Sequence, residues 1–239
     1  MVSVITVAYN DLANLQRTVE SVNHLNKRTH LQFIVIDGGS TDGTADYLAS
    51  VGSLVDRWIS EPDTGIYDAM NKGIDLATGD WLIFMNAGDC FYRPDTLEHI
   101  DLAAHSDAAV LYGATYRRQR QVVTPPQPLR RIESGLSIGC HQSMFFNYRL
   151  LGNHDMQYDA NLDFAGDTEL LTRLYYLGYS FCALEAVIAD FDEMGISSTG
   201  QIPRAQLWTN RRLKYWRIFN YFGFRGVVRS ILARIFPPS

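Results

Sequence analysis

The chain has 239 residues, 46% of them apolar and 20% charged, with a net charge of −5. That is enough to bury one large core, or one domain with a tail, but two full domains are not expected. No window approaches the ~18 uninterrupted apolar residues of a bilayer span, and three widely spaced cysteines, Cys90, Cys140 and Cys182, suit neither a paired zinc site nor a disulfide framework. Met1 runs straight into a strand pattern without a secretory leader, which predicts a cytosolic chain with reduced thiols.

Val2 to Ala8 is a continuous apolar strand. After Asn10-Asp11, both good capping residues, Leu12, Leu15, Val19, Val22 and Leu25 recur at three- and four-residue spacing, which predicts a helix. Gln32 to Asp37 predicts a second strand, Gly38 to Gly43 a turn-rich loop, and Thr44 to Ser50 a short helix capped by Thr41 or Asp42. Val55 to Ile59 predicts a third strand, Glu61-Pro62-Asp63-Thr64-Gly65 a turn cluster, and Ile66, Met70, Ile74 and Ala77 a helix stopped at Gly79-Asp80. Trp81 to Met85 is a fourth strand that ends abruptly in Asn86-Ala87-Gly88-Asp89, and Pro94, suited to a first helical position, predicts a helix through Ala104. Strands alternating with helices require a parallel sheet with right-handed crossovers, so residues 1–104 read as a Rossmann-like nucleotide-binding half.

Past residue 105 the rhythm changes. Ala108 to Tyr116 and Gln121 to Thr124 predict paired strands, Pro125 to Pro128 a loop, and Ser143 to Phe146 a short strand. Gly166 to Leu177 predicts a helix ended by Gly178, and Ser180 to Ala189 a further strand. The central sheet is therefore expected to become mixed over residues 105–200. Residues 201–239 hold eight Lys or Arg and no Asp or Glu, leaving 13 basic against 26 acidic residues in 1–200. This basic tail reads as one or two helices over 204–236. Over Phe224 to Phe236 the apolar residues fall within an arc of about 140°, with Arg225 and Arg234 at its edges. Such a stripe suits an anionic membrane surface, the chain's own acidic domain or a second subunit.

Open α/β sheets hold ligands and metals at the carboxyl ends of their strands. Here three strand ends carry polar groups to one rim: Ala8-Tyr9-Asn10, Asp37-Gly38-Gly39-Ser40 and Asp89. The segments Ser3 to Asn10, Val35 to Thr44, Ser60 to Gly73 and Phe84 to Asp89, in that order and spacing, resemble glycosyltransferase family 2 with the GT-A fold. Within the family they are most similar to bacterial enzymes of exopolysaccharide assembly of the colanic-acid type. The resemblance covers roughly residues 1–200. It implies an inverting glycosyltransferase that moves a sugar from a nucleotide diphosphate, UDP in the first instance, to a saccharide or lipid-linked saccharide in bacterial surface polysaccharide synthesis. The expected place is the cytoplasm, with peripheral contact on the inner face of the membrane through residues 204–236.

Carried over residue by residue, the resemblance assigns Asp37 to the nucleoside, with backbone groups from Thr6 and Ala8 and the ring face of Tyr9 beside it. Asp37 equally suits an Asx turn over Gly38-Gly39. Asp68, with Lys72 four residues on, faces the donor diphosphate or forms a solvated ion pair. Where the family commonly shows Asp-x-Asp-Asp, this chain has Asn86-Ala87-Gly88-Asp89. Asp89 is then the one carboxylate for Mn2+ or Mg2+, Asn86 lends a neutral oxygen and Ala87 completes the donor contact. Asp167 matches the family's base, with Gly166 in the place of a Glu; the alternative is a helix cap, with Asp163 and Glu169 as substitute bases. His141 and Gln142 fall on the acceptor side, and Asp192 to Ser197 is similar to a segment that closes the donor pocket. Two other functions fit less of the sequence: a nucleotidyltransferase, for which no basic Gly-rich loop follows the first strand, and a non-catalytic nucleotide-binding scaffold. No groove-reading motif supports nucleic-acid binding.

Overall fold

The computed structural model of the chain describes residues 1–26, 30–133, 135–162 and 165–194, so the basic tail lies outside the described residues. Strands β1 (Val2–Ala8) and β2 (Leu31–Asp37) are buried at every position, as continuous apolar runs must be inside a parallel sheet covered on both faces. Alternate side chains enter two cores. Ile5, Val7, Ile34 and Ile36 face one, and Val4, Ala8, Phe33 and Val35 the other. Helix α1 (Leu12–Asn23) closes the second core with Leu15, Val19 and Val22, and α3 (Ile66–Leu76) closes the first with Met70 and Ile74.

The remaining elements are α2 (Thr44–Ser50), β3 (Arg57–Ser60), β4 (Trp81–Phe84), β5 (Cys90–Phe91), β6 (Val110–Arg117), β7 (Val122–Thr124), β8 (Met144–Asn147), α4 (Tyr148–Met156), α5 (Gly166–Tyr176) and β9 (Phe181–Phe191). The sheet runs β3-β2-β1-β4-β8-β6-β9-β5, with β7 paired to β6. β1 to β4 are parallel, β8 is antiparallel to β4 and β6, and β9 is parallel to β6. The expected change from parallel to mixed sheet therefore falls at the β4–β8 junction. Strand order also reverses at β1, which puts a crevice beyond the carboxyl ends of β1 and β4. Leu82 pairs with Phe146 in the antiparallel register, and continuing that register sets Asn86 opposite Gln142. The turn before β8 thus meets the turn after β4 by topology alone.

Three local expectations need correction. The helix from Pro94 to Ala104 does not form; only a single 3-10 turn, Thr96–His99, is present. Asp101 accepts from the N–H groups of Ala103 and Ala104 at 3.1 and 3.0 Å, closing an Asx turn where the helix needed to continue. Asp11 makes no side-chain cap on α1. Asp42 does that work from a distance, taking Leu12 N–H at 2.9 Å on one oxygen and Thr44 N–H at 3.2 Å on the other, so one carboxylate caps α1 and α2 together. Finally, α4 has no counterpart in the periodicity, because it is bent at Gly152 (φ 63°) and buries only Leu151 and Met156.

Candidate active site

Asp37 is fully buried at the end of β2. Its carboxylate accepts from Ser60 Oγ at 2.6 Å and from Ser40 N–H at 3.2 Å, and a short hydrogen bond from the Ser40 hydroxyl joins them. The Asx-turn alternative thus describes what Asp37 does in this structure: it ties the 38–40 loop to β3. Thr6 lies inside the sheet, its hydroxyl donating to Met85 C=O at 2.6 Å. Ala8 C=O accepts from Gly38 N–H at 2.9 Å, and Ala87 N–H donates to Val7 C=O at 3.2 Å. These three shape the rim without presenting side-chain polarity to it. Tyr9 is different, being 67% exposed, with its ring so near Gly38 that a Cβ there would sit 3.3 Å from Cδ2. A flat aromatic face is therefore open beside the β1 and β2 ends.

Asp68 and Lys72 are not simply paired with each other. Asp68 accepts from Thr64 N–H at 2.9 Å at the start of α3. Lys72 Nζ meets Asp63, Glu61 at 2.9 Å and the Pro62 carbonyl at 3.1 Å, with Asp68 more distant at 4.0 Å. Its three donors are used inside the 61–65 turn, so Lys72 acts as a strut for that turn.

Asp89 follows Gly88, which takes the left-handed conformation (φ 97°), and the turn is fixed by Thr18 Oγ, which accepts from Gly88 N–H at 3.0 Å and donates to Asp89 C=O at 2.8 Å. The Asp89 carboxylate is only 4% exposed. Its Oδ1 accepts from Asp192 N–H and its Oδ2 from Gln142 Nε2, both at 2.8 Å. Burial outweighs these bonds and the nearby His141, and its pKa is pushed up to about 7. Gln142 therefore belongs with Asp89 rather than with an acceptor. The Asp192 end is held by Arg118, whose guanidinium also donates to Gly88 C=O at 3.0 Å and to Asp190 at 3.1 Å. Of the segment Asp192 to Ser197, residues 195–197 lie outside the described residues.

On the opposite rim, α5 begins at Gly166 after Ala165, which is left-handed at φ 66°. A Cβ on Gly166 would lie 2.5 to 2.8 Å from ring carbons of Tyr67, and Tyr67 OH accepts from Gly166 N–H at 2.8 Å. Glycine at this position is thus the condition for Tyr67, from α3, to cap α5 with its hydroxyl. Asp167 is then inside the first turn and makes no side-chain cap; the capping alternative for it fails. Its Oδ2 instead lies 3.0 Å from His141 Nδ1. His141 Nε2 lies 3.3 Å from the Asn86 side-chain amide, and the imidazole rests edge-on against Phe84. Burial opposes a charge on His141, but the Asp167 carboxylate and its hydrogen bond outweigh this, with Asp89 adding to them, and raise the histidine above its ordinary pKa.

Three buried atoms around this histidine have no hydrogen-bond partner among the described residues: Asn86 Oδ1, Asp167 Oδ1 and Tyr158 OH. Tyr158 stacks on Tyr67 at 5.2 Å and meets Phe84 edge-on at 5.5 Å, completing an aromatic wall. Of the substitute bases, Glu169 is buried against Arg173 at 3.3 Å, an arginine that also donates to the carbonyls of Asp155 and Gln157, so it is a structural group. Asp163 lies outside the described residues. Sequence reasoning missed Tyr67 and Tyr158. The first stands within a motif that carries the family resemblance, whereas nothing in the sequence around Tyr158 signals it.

A divalent cation would find few protein ligands in this crevice. Among the described residues no three His, Cys, Asp or Glu side chains gather to hold one. Asp89 and the unpartnered Asn86 Oδ1 supply at most two protein oxygens, and both Asp89 oxygens already accept hydrogen bonds, so a cation there would depend on phosphate oxygens and water.

A parallel half joined edge to edge with a mixed half, with carboxylates at their common rim, is the arrangement of a GT-A-like fold. The chain belongs to the family described as glycosyl transferase family 2, whose pattern matches residues 3–161, and it is a glycosyltransferase. It is 36% identical over 237 residues to an uncharacterized glycosyltransferase of Mycobacterium tuberculosis, covering 97% of this chain and 89% of the relative. It is 32% identical over 180 residues to a PGL/p-HBAD biosynthesis glycosyltransferase of the same organism, covering 69% of this chain and 66% of that one. Among solved structures it resembles residues 1–349 of S. aureus TarS in complex with UDP-GlcNAc, with a TM-score of 0.76 at 19% identity, over 100% of this chain and 73% of that one.

Proposed function

We propose that the chain transfers a sugar, with inversion, from a nucleotide diphosphate to a saccharide or lipid-linked saccharide during surface polysaccharide or glycolipid assembly. The observation that carries this reading is Asp167: one carboxylate oxygen is held by His141, and the other, Oδ1, is buried without a partner at the rim where the β1 and β4 ends lie. A base needs an accepting oxygen kept free until substrate arrives. Oδ1 takes the proton of the acceptor hydroxyl while that oxygen forms its bond to the anomeric carbon. The anomeric carbon–phosphate oxygen bond breaks on the far side, and the diphosphate leaves with the electron pair.

The nucleoside is assigned to the rim of Asp37 and the open ring of Tyr9. UDP is the first choice of nucleotide, supported by the similarity to a structure holding UDP-GlcNAc. Mn2+ or Mg2+ would be held by Asp89 and Asn86 and would neutralise the departing diphosphate. A biosynthetic transfer is supported by the relative named for PGL/p-HBAD biosynthesis. Peripheral binding to the cytoplasmic face of a membrane rests on the composition of residues 204–236 alone, and a chain ending at Gln201 is expected to lose its sedimentation with anionic vesicles.

Two measurements test the assignment. UDP-, GDP- and dTDP-sugars are compared for protection against thermal unfolding, where the true donor raises the apparent melting temperature by mass action. Asp167→Asn should then lower turnover by roughly 10²- to 10⁴-fold with that protection intact. Turnover close to the parent's removes Asp167 as the base.

A further inference from the structure

We propose that His141 is a positioning residue which acts through Asp167: its Nδ1–H engages Oδ2 and so reserves Oδ1 as the single proton-accepting atom. The proposal rests on the assignment of Asp167 as base. Three observations support it. First, the Nδ1–Oδ2 separation is 3.0 Å, His141 Nε2 meets the Asn86 amide, and the ring makes a T-shaped contact with Phe84. With both nitrogens engaged and a side chain only 12% exposed, the imidazole is built into the wall rather than extended towards a sugar.

Second, the two oxygens of Asp167 are unequal. Oδ2 has a donor and Oδ1 has none among the described residues. A carboxylate free to rotate would offer either oxygen at random angles; one held through Oδ2, on a helix start fixed by Tyr67, offers only the other. Third, the next residue along, Gln142, makes the equivalent contact to Asp89, so the 141–143 turn orients both site carboxylates by the same means. No other arginine, lysine or histidine forms an ion pair with Asp167 among the described residues, which leaves His141 as its cationic or N–H partner.

The geometry separates variants that are otherwise similar. In asparagine the side-chain nitrogen occupies the place of Nδ1; in glutamine it reaches the place of Nε2. With the full chain and the donor that protects it best, UDP-GlcNAc being the first probe, steady-state kinetics are compared for His141→Asn, His141→Gln, His141→Ala, Asp167→Asn and the double variant His141→Ala with Asp167→Asn. His141→Ala and His141→Gln are expected to lose on the order of 10- to 100-fold in kcat, the scale of a misplaced catalytic group, at unchanged donor and acceptor KM. His141→Asn should recover most of that loss, and the double variant should be no slower than Asp167→Asn alone.

Asparagine no better than alanine, or a loss confined to KM, overturns the positioning role while leaving the base in place. Full turnover in Asp167→Asn overturns the base assignment itself. A second readout does not depend on turnover: in protein labelled with nitrogen-15 at histidine, the low-field His141 Nδ1 proton resonance should vanish in Asp167→Asn. Its persistence there also overturns the proposal.

Discussion

The rim proposed to seat the donor, at the ends of β1 and β2, and the rim proposed to face the acceptor, at the start of α5, differ in how completely they satisfy themselves. At the donor rim every charged group considered has its partners in place: Asp37 with Ser40 and Ser60, Lys72 with Glu61 and Asp63, and Asp68 with Thr64. Where the β4 end meets the start of α5, three polar atoms, Asn86 Oδ1, Asp167 Oδ1 and Tyr158 OH, are buried without a partner among the described residues. A buried polar group without a partner costs roughly 1–3 kcal/mol, so a cluster of them is not expected in scaffolding. The contrast teaches that carboxylates around one crevice are not equivalent. Asp37 spends its oxygens on the loop it ties down, whereas Asp167 keeps one oxygen without a partner among the described residues.

The largest effect that would break this comparison is at Asp167, where the asparagine variant should abolish most turnover while donor protection persists. Next comes Asp89. Its pKa of about 7 in the folded chain stands far above that of an unfolded aspartate, so its protonated form stabilises the fold fully below about pH 4, and this contribution is lost as pH rises through about 7. Asp89→Asn removes the titration. Its stability relative to the parent should therefore climb between pH 5 and 7, by up to about 1.4 kcal/mol per pH unit, and level off above, while turnover falls. Thermal unfolding of both chains across that range checks the sign, and a flat difference shows that Asp89 is ionised throughout.

Tyr67→Phe leaves Gly166 N–H without its cap and should destabilise by roughly 1–3 kcal/mol in denaturant unfolding, with kcat reduced as Asp167 shifts. The smallest effect sharpens the contrast most. Tyr158→Phe removes a buried hydroxyl that bonds to nothing described, so the fold should be no less stable and gain about 1 kcal/mol, the low end of an unsatisfied group's cost, whereas acceptor KM should rise. A clear loss of stability instead would mean that the hydroxyl has a structural partner.

The same division explains what the sequence makes legible. The parallel half reads easily because its strands are unbroken apolar runs ending in Gly and Asp turns, and Asp37, Asp89 and Asp167 all stand where such endings or a helix start announce them. Their partners do not. His141 to Asp167, Gln142 to Asp89 and Tyr67 to Gly166 are contacts across 26, 53 and 99 positions, and no local periodicity encodes them. Asp42 illustrates the point within the legible half, since it caps a helix thirty residues away as well as its own. Gly166 looked like a loss from the family pattern, and only the Tyr67 ring against it shows why a side chain is refused there.

His141 and Gln142 are neighbours on the backbone, and a trans peptide keeps their Cα atoms about 3.8 Å apart. One contacts the carboxylate proposed to meet the acceptor, the other the carboxylate proposed to face the departing phosphates. The two carboxylates are thereby tethered through adjacent side chains of one short stretch of main chain, so a substitution that displaces the 141–143 turn should disturb both.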